Sequence, residues 1–281
     1  MIMNKLSLSI LLVVLSLNNY GCSNPQSSKH QNYESSNINI TDLVKSAEKG
    51  DAVAQYNLGV AYTDGFNELK PNIVEAIKWY TLSANQGYEK AQYNLGIIYA
   101  YNNLVPHDYK KSLFWFKKSS EQKYIPSFTE LGNIYSQGLG VSIDYEKALN
   151  FYKISANQND PIAQKNLGNM YLNGHGVQRD KQKAFEWYKK SADQGIPSAQ
   201  YNLALMYFMG DGIKQDYQKS RDLFQVLAEQ GDSNAQYHLG KIYKDGLGVN
   251  KDISQAKFWL EKSASNNNSY ASDELKTIDN L

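Results

Sequence analysis

The stretch AFEWYKKSADQGIPSAQYNLALMY, residues 184–207, decides the fold because it contains two helical patterns joined by a glycine turn. In the first half, small and aromatic residues recur on one helical face at Ala184, Trp187, Tyr188, Ser191 and Ala192. In the second half, the same spacing joins Ala199, Leu203, Met206 and Tyr207. A recurrence at three and four residues is typical of amphipathic helices, so this stretch predicts two helices that pack against each other.

The same pattern recurs along most of the chain. A Leu followed by a small residue appears at Leu58-Gly59, Leu95-Gly96, Leu131-Gly132, Leu167-Gly168, Leu203-Ala204 and Leu239-Gly240. The spacing between these Leu residues is 37 once and then 36 four times, and a Tyr follows each Leu after four residues. A fixed period of this length predicts a solenoid of stacked helix pairs, in which no single pair buries its own apolar face.

The glycine after each repeat Leu is expected to mark a close helix contact. Glycine inside a helix costs about 1 kcal/mol relative to alanine, so its recurrence needs a compensating interaction. Aromatic residues keep the same period in the second helical pattern, for example at Tyr80, Phe116, Tyr152, Tyr188 and Phe224. We therefore expect the partner helix to approach closely at the glycine and to lay a ring over the gap.

The loops within the repeats divide into two kinds. The last four repeats carry a Gly-x-Gly loop at 138–140, 174–176, 210–212 and 246–248, and the first two do not. Glycine readily takes positive φ at a helix end, so the loops of repeats one and two are expected to differ in shape. Repeat three has Ser127 and Thr129 where its neighbours have Ala and mostly Tyr, which predicts an atypical inner face.

These residues resemble the Sel1-like repeat family, a relative of the tetratricopeptide repeat. The Ala-x-Tyr-x-Leu-Gly helix, the Gly-x-Gly-Val loop, the Ala-x-x-Trp-Tyr helix and the Ser-Ala-x-x-Gly ending carry the resemblance over residues 41–281. It implies an all-α, right-handed α–α superhelix of about six repeats with terminal half-repeats. It also implies a protein-binding surface rather than an active site.

The N-terminus is expected to direct export. Residues 6–17 are almost continuously apolar, which is too short for the roughly 20 residues of a membrane span but fits a signal peptide over residues 1–21. Cys22 follows directly and resembles the lipidated cysteine of bacterial lipoproteins, while Ser23 after it favours the outer membrane by that resemblance. The alternative is an ordinary signal peptide with an incidental Cys, which would give a periplasmic or secreted protein. Residues 22–40 are rich in Ser, Asn and Gln and are expected to form a disordered tether.

Composition excludes several classes of function. The chain has 29 basic and 28 acidic residues, which argues against a nucleic-acid surface, and its one Cys excludes a disulfide framework and zinc sites of paired cysteines. The Gly-x-Gly loops lack the further Gly and the Lys of nucleotide-binding motifs. His175 and His238 are expected to be solvated. We therefore expect no cofactor, no metal and no catalytic residue.

The positive signal for function is the row of first helices, which line the concave side of such a solenoid by resemblance. Tyr offers a large, rigid contact area with a polar tip, and the Asn before the repeat Leu resembles the tetratricopeptide residue that holds a peptide backbone. Lys90 with Asn94 resembles half of a carboxylate clamp. The predicted binding residues are Tyr56, Asn57, Lys90, Tyr93, Asn94, Lys165, Asn166, Tyr201, Asn202 and Tyr237.

Three hypotheses follow for the function. The leading one is a monomeric, non-enzymatic protein of the bacterial cell envelope that is held by a lipid anchor, binds proteins or peptides in the concave groove and acts in host-cell contact. The second is a hydrolase of cell wall or β-lactams, as reported for cysteine-rich relatives, although the cysteine pairs of those relatives are missing here. The third is an assembly protein that binds another solenoid edge.

Overall fold

The computed structural model describes residues 39–66 and 69–279, and the regular structure within these ranges is entirely α-helical. The predicted all-α solenoid of helix pairs is confirmed. The fourteen helices are α1 (Ile40–Glu48), α2 (Ala52–Asp64), α3 (Ile73–Asn85), α4 (Glu89–Tyr101), α5 (Tyr109–Glu121), α6 (Ile125–Gln137), α7 (Tyr145–Asn157), α8 (Pro161–Asn173), α9 (Lys181–Asp193), α10 (Pro197–Met209), α11 (Tyr217–Glu229), α12 (Ser233–Asp245), α13 (Ile253–Ser265) and α14 (Ser269–Asp279).

The helices form two compact units, each of which has its own core. Unit 1 ends at Gln158 and unit 2 begins at Asn159. Even-numbered helices are the first helices of the repeats and odd-numbered helices are the second, and each packs on its neighbours along the chain within a unit. The repeat leucines of the first helices, such as Leu95 and Leu239, are fully buried.

The repeat glycines do mark close contacts between the two helices of a pair. A Cβ atom on Gly132 would lie 2.5 Å from the Tyr152 ring, and one on Gly168 would lie 2.7 Å from the Tyr188 ring. At Gly240 the facing residue is Leu260 instead of an aromatic, at 2.6 Å. The expectation of a ring over the glycine is therefore confirmed in the pairs that carry an aromatic residue there.

Glutamine side chains connect successive repeats within a unit. In unit 1, Gln92 donates to the Ala84 carbonyl of the preceding repeat (3.1 Å) and accepts from Gln122 of its own repeat (2.8 Å). In unit 2, Gln236 donates to the Ala228 carbonyl at 3.0 Å in the same way. These buried amides satisfy helix-end carbonyls that would otherwise lose a partner on burial.

The second helices begin with a recurring Tyr–Asp–Lys arrangement. The Asp108 N–H donates to the Tyr99 carbonyl (2.9 Å), and the Asp108 carboxylate accepts from the Lys111 N–H (3.0 Å) as the N-cap of α5. The Lys111 ammonium lies 5.1 Å from the centroid of the Tyr99 ring. The backbone hydrogen bond from Lys111 lowers the pKa of Asp108. The same arrangement recurs with Tyr135, Asp144 and Lys147, with Tyr171, Asp180 and Lys183, and with Tyr207, Asp216 and Lys219.

The loops between first and second helices differ as expected. Gly138 ends α6 in the left-handed region, whereas Gly65 ends α2 with ψ of 114° and Asn102 ends α4 in an extended conformation. In repeat three, the Thr129 hydroxyl lies 2.7 Å from that of Ser155, so its inner face is polar and buried.

The ring contact at Gly168 predicts that Gly168→Ala lowers the free energy of unfolding when the Tyr188 ring is present and raises it when the ring is removed. Gly168→Ala places a methyl group against the Tyr188 ring, and overpacking should exceed the gain in helix propensity, so we expect a net loss of about 1–2 kcal/mol. In a Tyr188→Ala background the same change should stabilise the protein by about 1 kcal/mol. Urea unfolding followed by circular dichroism measures both values, and stabilisation in the native background would show that no ring occupies this gap.

Candidate interaction surface

The predicted binding residues lie on first helices of both units, but their exposure differs. Seven are partly buried, and they are Tyr56, Asn57, Lys90, Tyr93, Asn94, Asn166 and Tyr237. The other three are buried, with exposed fractions of 4% for Lys165, 3% for Tyr201 and 3% for Asn202. Sequence spacing places all ten on first helices, but it does not separate those that offer a surface from those that pack inside.

Unit 1 carries a cluster of four tyrosines, Tyr56, Tyr88, Tyr93 and Tyr124, which we call the tyrosine cluster. The ring centroids of Tyr56 and Tyr88 are 5.1 Å apart, and those of Tyr93 and Tyr124 are 5.3 Å apart. Each pair joins a first helix to the residue that precedes the next first helix. All four side chains are partly buried, so one part of each ring packs and the rest remains accessible.

Two members of the tyrosine cluster occupy N-cap positions at which other repeats have a capping aspartate. Tyr88 and Tyr124 are the N-cap residues of α4 and α6, and neither side chain makes a capping hydrogen bond. The equivalent Asp51 and Asp232 cap α2 and α12 through their carboxylates. Loss of such a cap costs about 1 kcal/mol, so the tyrosines contribute packing where other repeats gain a hydrogen bond. The repeat spacing alone does not single out these two tyrosines, although a Tyr in the Asp position of the repeat is a visible signal.

Burial and a neighbouring carboxylate affect the ionisation of these tyrosines. Partial burial raises the pKa of Tyr88 and Tyr124, and the Glu89 carboxylate raises both further. The phenols therefore stay neutral and can donate hydrogen bonds at neutral pH. An aromatic surface with neutral hydroxyl tips suits protein contacts better than proton transfer.

The corresponding face of unit 2 is closed by an aromatic cluster around His238. The His238 ring stacks on Phe224 with centroids 4.8 Å apart, and its Nε2 atom lies 3.2 Å from the Tyr201 hydroxyl. Phe208 and Tyr237 also contact the imidazole. The expectation that His238 is solvated was wrong, because His238 replaces the Asn of other repeats at a position that faces the neighbouring rings.

The position before the repeat Leu holds polar atoms without partners. Within residues 39–66 and 69–279, Asn202 Oδ1 and His238 Nδ1 are buried and have no hydrogen-bond partner, whereas the Asn94 amide interacts with the Tyr80 hydroxyl. At the same position of repeat three, Glu130 accepts a hydrogen bond from the Tyr101 hydroxyl at 2.8 Å. A buried polar atom that lacks a partner lowers stability, so this position favours a further partner where it can be reached.

Several other predictions concern residues or chemistry outside this surface. Cys22, the signal peptide of residues 1–21 and almost all of the tether of residues 22–40 lie outside the described residues, although α1 already begins at Ile40. Among the helices that the structure describes, none combines the length and apolar character needed to cross a bilayer. The described residues also contain no group of three His, Cys, Asp or Glu side chains that could hold a metal ion.

The described fold defines an α-solenoid whose candidate site is a row of side chains on its first helices. A family model for the Sel1 repeat matches six times, and the chain belongs to the Sel1 repeat family. The matched residues are 52–88, 89–124, 129–160, 161–196, 197–232 and 233–268. Proteins of this family are generally protein-interaction scaffolds and are typically non-enzymatic.

The solved structures that are similar to this chain at 30% identity or more include two repeat proteins of this fold. The protein c5321, a protective antigen present in uropathogenic Escherichia coli strains, shares 34% identity with a TM-score of 0.80 over 86% of this chain. The alignment spans 52% of c5321, so this chain corresponds to about half of that protein. A Sel1 repeat protein from Oxalobacter formigenes shares 30% identity, with a TM-score of 0.75, over 84% of this chain and 68% of its own length. Among curated proteins, none matches the chain.

The environment of His238 predicts an acid sensitivity of unit 2. Burial, and to a smaller extent the Lys241 charge, lower the pKa of His238 to about 3. An unfolded His has a pKa of about 6.5, so below that pH the unfolded state binds a proton that the folded state does not. The contribution of the neutral His238 to stability is therefore complete above about pH 6.5. Below that pH, the free energy of unfolding should fall by up to about 1.4 kcal/mol for each pH unit.

The test compares the pH slope of two histidine variants. His238→Asn installs the residue that most other repeats have at this position, and it should flatten the decline of the free energy of unfolding between pH 6.5 and 4.5. His175→Asn, at a partly buried loop histidine of the same unit, should leave the decline largely unchanged. Urea unfolding across this pH range gives the slopes, and equal slopes in both variants would contradict the assignment.

Proposed function

We propose that this protein is a non-enzymatic interaction scaffold that binds protein or peptide partners through the first-helix face, above all through unit 1. The single observation that carries the proposal is the tyrosine cluster, whose rings are partly accessible and are arranged as two equivalent pairs. Tyrosine is among the residues that contribute most to protein interfaces, because its large ring has few rotatable bonds. The partner therefore contacts Tyr56 and Tyr93 directly.

Polar residues beside the cluster provide the specificity of this surface. Asn94 lies next to Tyr93 on α4, and its amide hydrogen-bonds to the buried Tyr80 hydroxyl, which fixes this part of the surface. Lys90 lies one turn earlier on α4 and is partly exposed, so it supplies a positive charge beside the tyrosines for an acidic group of the partner.

The buried members of the predicted set take a supporting role in this proposal. Lys165, Tyr201 and Asn202 bury nearly all their surface in unit 2, so they maintain the shape of their first helices instead of contacting a partner. Asn57, Asn166 and Tyr237 remain partly exposed on their first helices. Binding energy is then concentrated at the two tyrosine pairs, as expected for an interface with few dominant residues.

The proposed location is the bacterial cell envelope. An apolar stretch followed by Cys22 supports export and lipid attachment, and Ser23 supports the outer membrane. The similarity to a protective antigen of uropathogenic Escherichia coli supports exposure to a host, although it extends over about half of that protein. The scaffold acts as a monomer tethered through its N-terminus, and its role in host contact follows from that exposure.

Site-specific photo-cross-linking in the native cells tests the interface. We expect p-benzoylphenylalanine at position 56 or 93 to trap a partner, whereas the same residue at the exposed Lys118 on second helix α5 should trap none. Tyr93→Ala should then weaken binding of the trapped partner about tenfold, since a central interface tyrosine contributes more than about 1 kcal/mol. Tyr93→Phe keeps the ring and should retain most of the affinity. Equal cross-linking at position 118 would contradict an interface on this face.

Metabolic labelling with palmitate tests the anchor. We expect the native chain to incorporate the label and Cys22→Ala to incorporate none, because no other residue of the chain is a cysteine. Ser23→Ala is the matched control, since it alters the neighbouring position and keeps the cysteine. Equal labelling of the native and Cys22→Ala proteins would show that Cys22 is not the site of attachment.

A further inference from the structure

Two depressions of similar size lie at equivalent places in the two units. One, of about 480 Å³, lies at the start of α5 in unit 1, and the other, of about 510 Å³, lies at the start of α11 in unit 2. Their linings correspond residue by residue at a spacing of three repeats, namely Ile77 with Phe185, Tyr99 with Tyr207, Val105 with Ile213, Asp108 with Asp216, and Lys111 with Lys219. Because equivalent residues form a depression in both units, it is not an accident of one loop.

The walls of each depression are apolar and partly accessible. In unit 1, Ile77 and Val105 flank the ring of Tyr99. In unit 2, the rings of Phe185 and Tyr207 meet edge to face with centroids 5.5 Å apart, and Ile213 lies beside them. These side chains are partly buried, so each depression presents an apolar floor on which one aliphatic side chain can be covered.

The rim of each depression carries an excess of positive charge. Two lysines, Lys110 and Lys111, face one aspartate in unit 1, and Lys214 and Lys219 face Asp216 in unit 2. The aspartate already caps its helix through a backbone hydrogen bond, and it forms an ion pair at 3.3 Å with Lys111 in unit 1 and with Lys219 in unit 2. These two ammoniums also lie over the rings of Tyr99 and Tyr207, so Lys110 and Lys214 supply the net positive charge of the rim. A lysine ammonium has three donors, so the lysines retain capacity for a second acceptor at the surface.

We infer that these depressions form a second docking surface, separate from the tyrosine cluster, for a partner segment in which an aliphatic side chain is directly followed by a carboxylate. The aliphatic side chain covers the apolar floor, and the carboxylate lies beside the lysines at the rim. Both charge and shape are complementary to such a segment, and the same complementarity occurs once in each unit.

Methyl NMR on the full chain tests this inference, because each depression contains one isoleucine. The full-length protein, labelled at isoleucine methyl groups, is titrated with N-acetylleucine, with its uncharged analogue N-acetylleucinamide, and with acetate. We expect the Ile77 and Ile213 signals to shift with N-acetylleucine, while those of the buried Ile134 and Ile242 stay unchanged. Ile77→Val and Ile213→Val assign the two signals.

The three probes and three lysine variants separate the possible outcomes. N-acetylleucinamide should bind about two- to fivefold more weakly than the acid, and acetate should leave both signals unshifted. Lys111→Gln should weaken binding at Ile77 alone and Lys219→Gln at Ile213 alone, whereas Lys118→Gln, on the same helix as Lys111, should change neither. Equal affinity for acid and amide, equal shifts with acetate, or no shift at either isoleucine would each overturn the inference. None of these changes alters Tyr56 or Tyr93, so the two proposals fail independently.

Discussion

The contact between a helical glycine and the side chain that covers it is the constraint on which the rest of the structure depends. Gly96, Gly132 and Gly168 each lie under a ring of the second helix, at separations that no Cβ atom would tolerate. This contact fixes the distance and the register between the two helices of a pair. The buried Leu, the serine that bonds to a first-helix carbonyl, as Ser191 does to Pro161, and the cap of the second helix all follow from that register.

Because the covering side chain occupies the gap between the helices, the remaining faces of each repeat are free to vary. The two units use this freedom differently. In unit 1, Tyr88 and Tyr124 occupy N-cap positions without making a capping hydrogen bond, and they form part of a partly exposed aromatic surface. Unit 2 gathers Phe208, Phe224 and His238 into a closed cluster at the corresponding face. The same repeat thus presents partly accessible tyrosines in one unit and a largely buried aromatic cluster in the other.

Much of the fold could be predicted from the sequence, because its determinants lie within one repeat. The period of Leu58, Leu95 and Leu131, the glycine after each, and the aromatic residues of the second helices together specify the helix pairs. The exposure of the candidate site could not be predicted in the same way. Tyr201 and Tyr237 occupy equivalent positions, yet Tyr201 is buried against Phe224 of its own repeat and His238 of the next, whereas Tyr237 is partly exposed beside Tyr270. The depressions were missed for a related reason, since each combines residues from successive repeats.

The glutamine connections have a direction along the chain, and this bears on how such proteins change in length. Gln92 gives its amide hydrogen to the repeat before it and receives one from the end of its own second helix, and Gln55 and Gln236 have the same sense. Repeat three has Phe128 at this position and makes no such link. An additional repeat that carries the glutamine would bring both a donor and an acceptor, so its gain or loss leaves no amide without a partner in the interior. Evolution can adjust the length of the binding surface in units of one helix pair without redesigning the core.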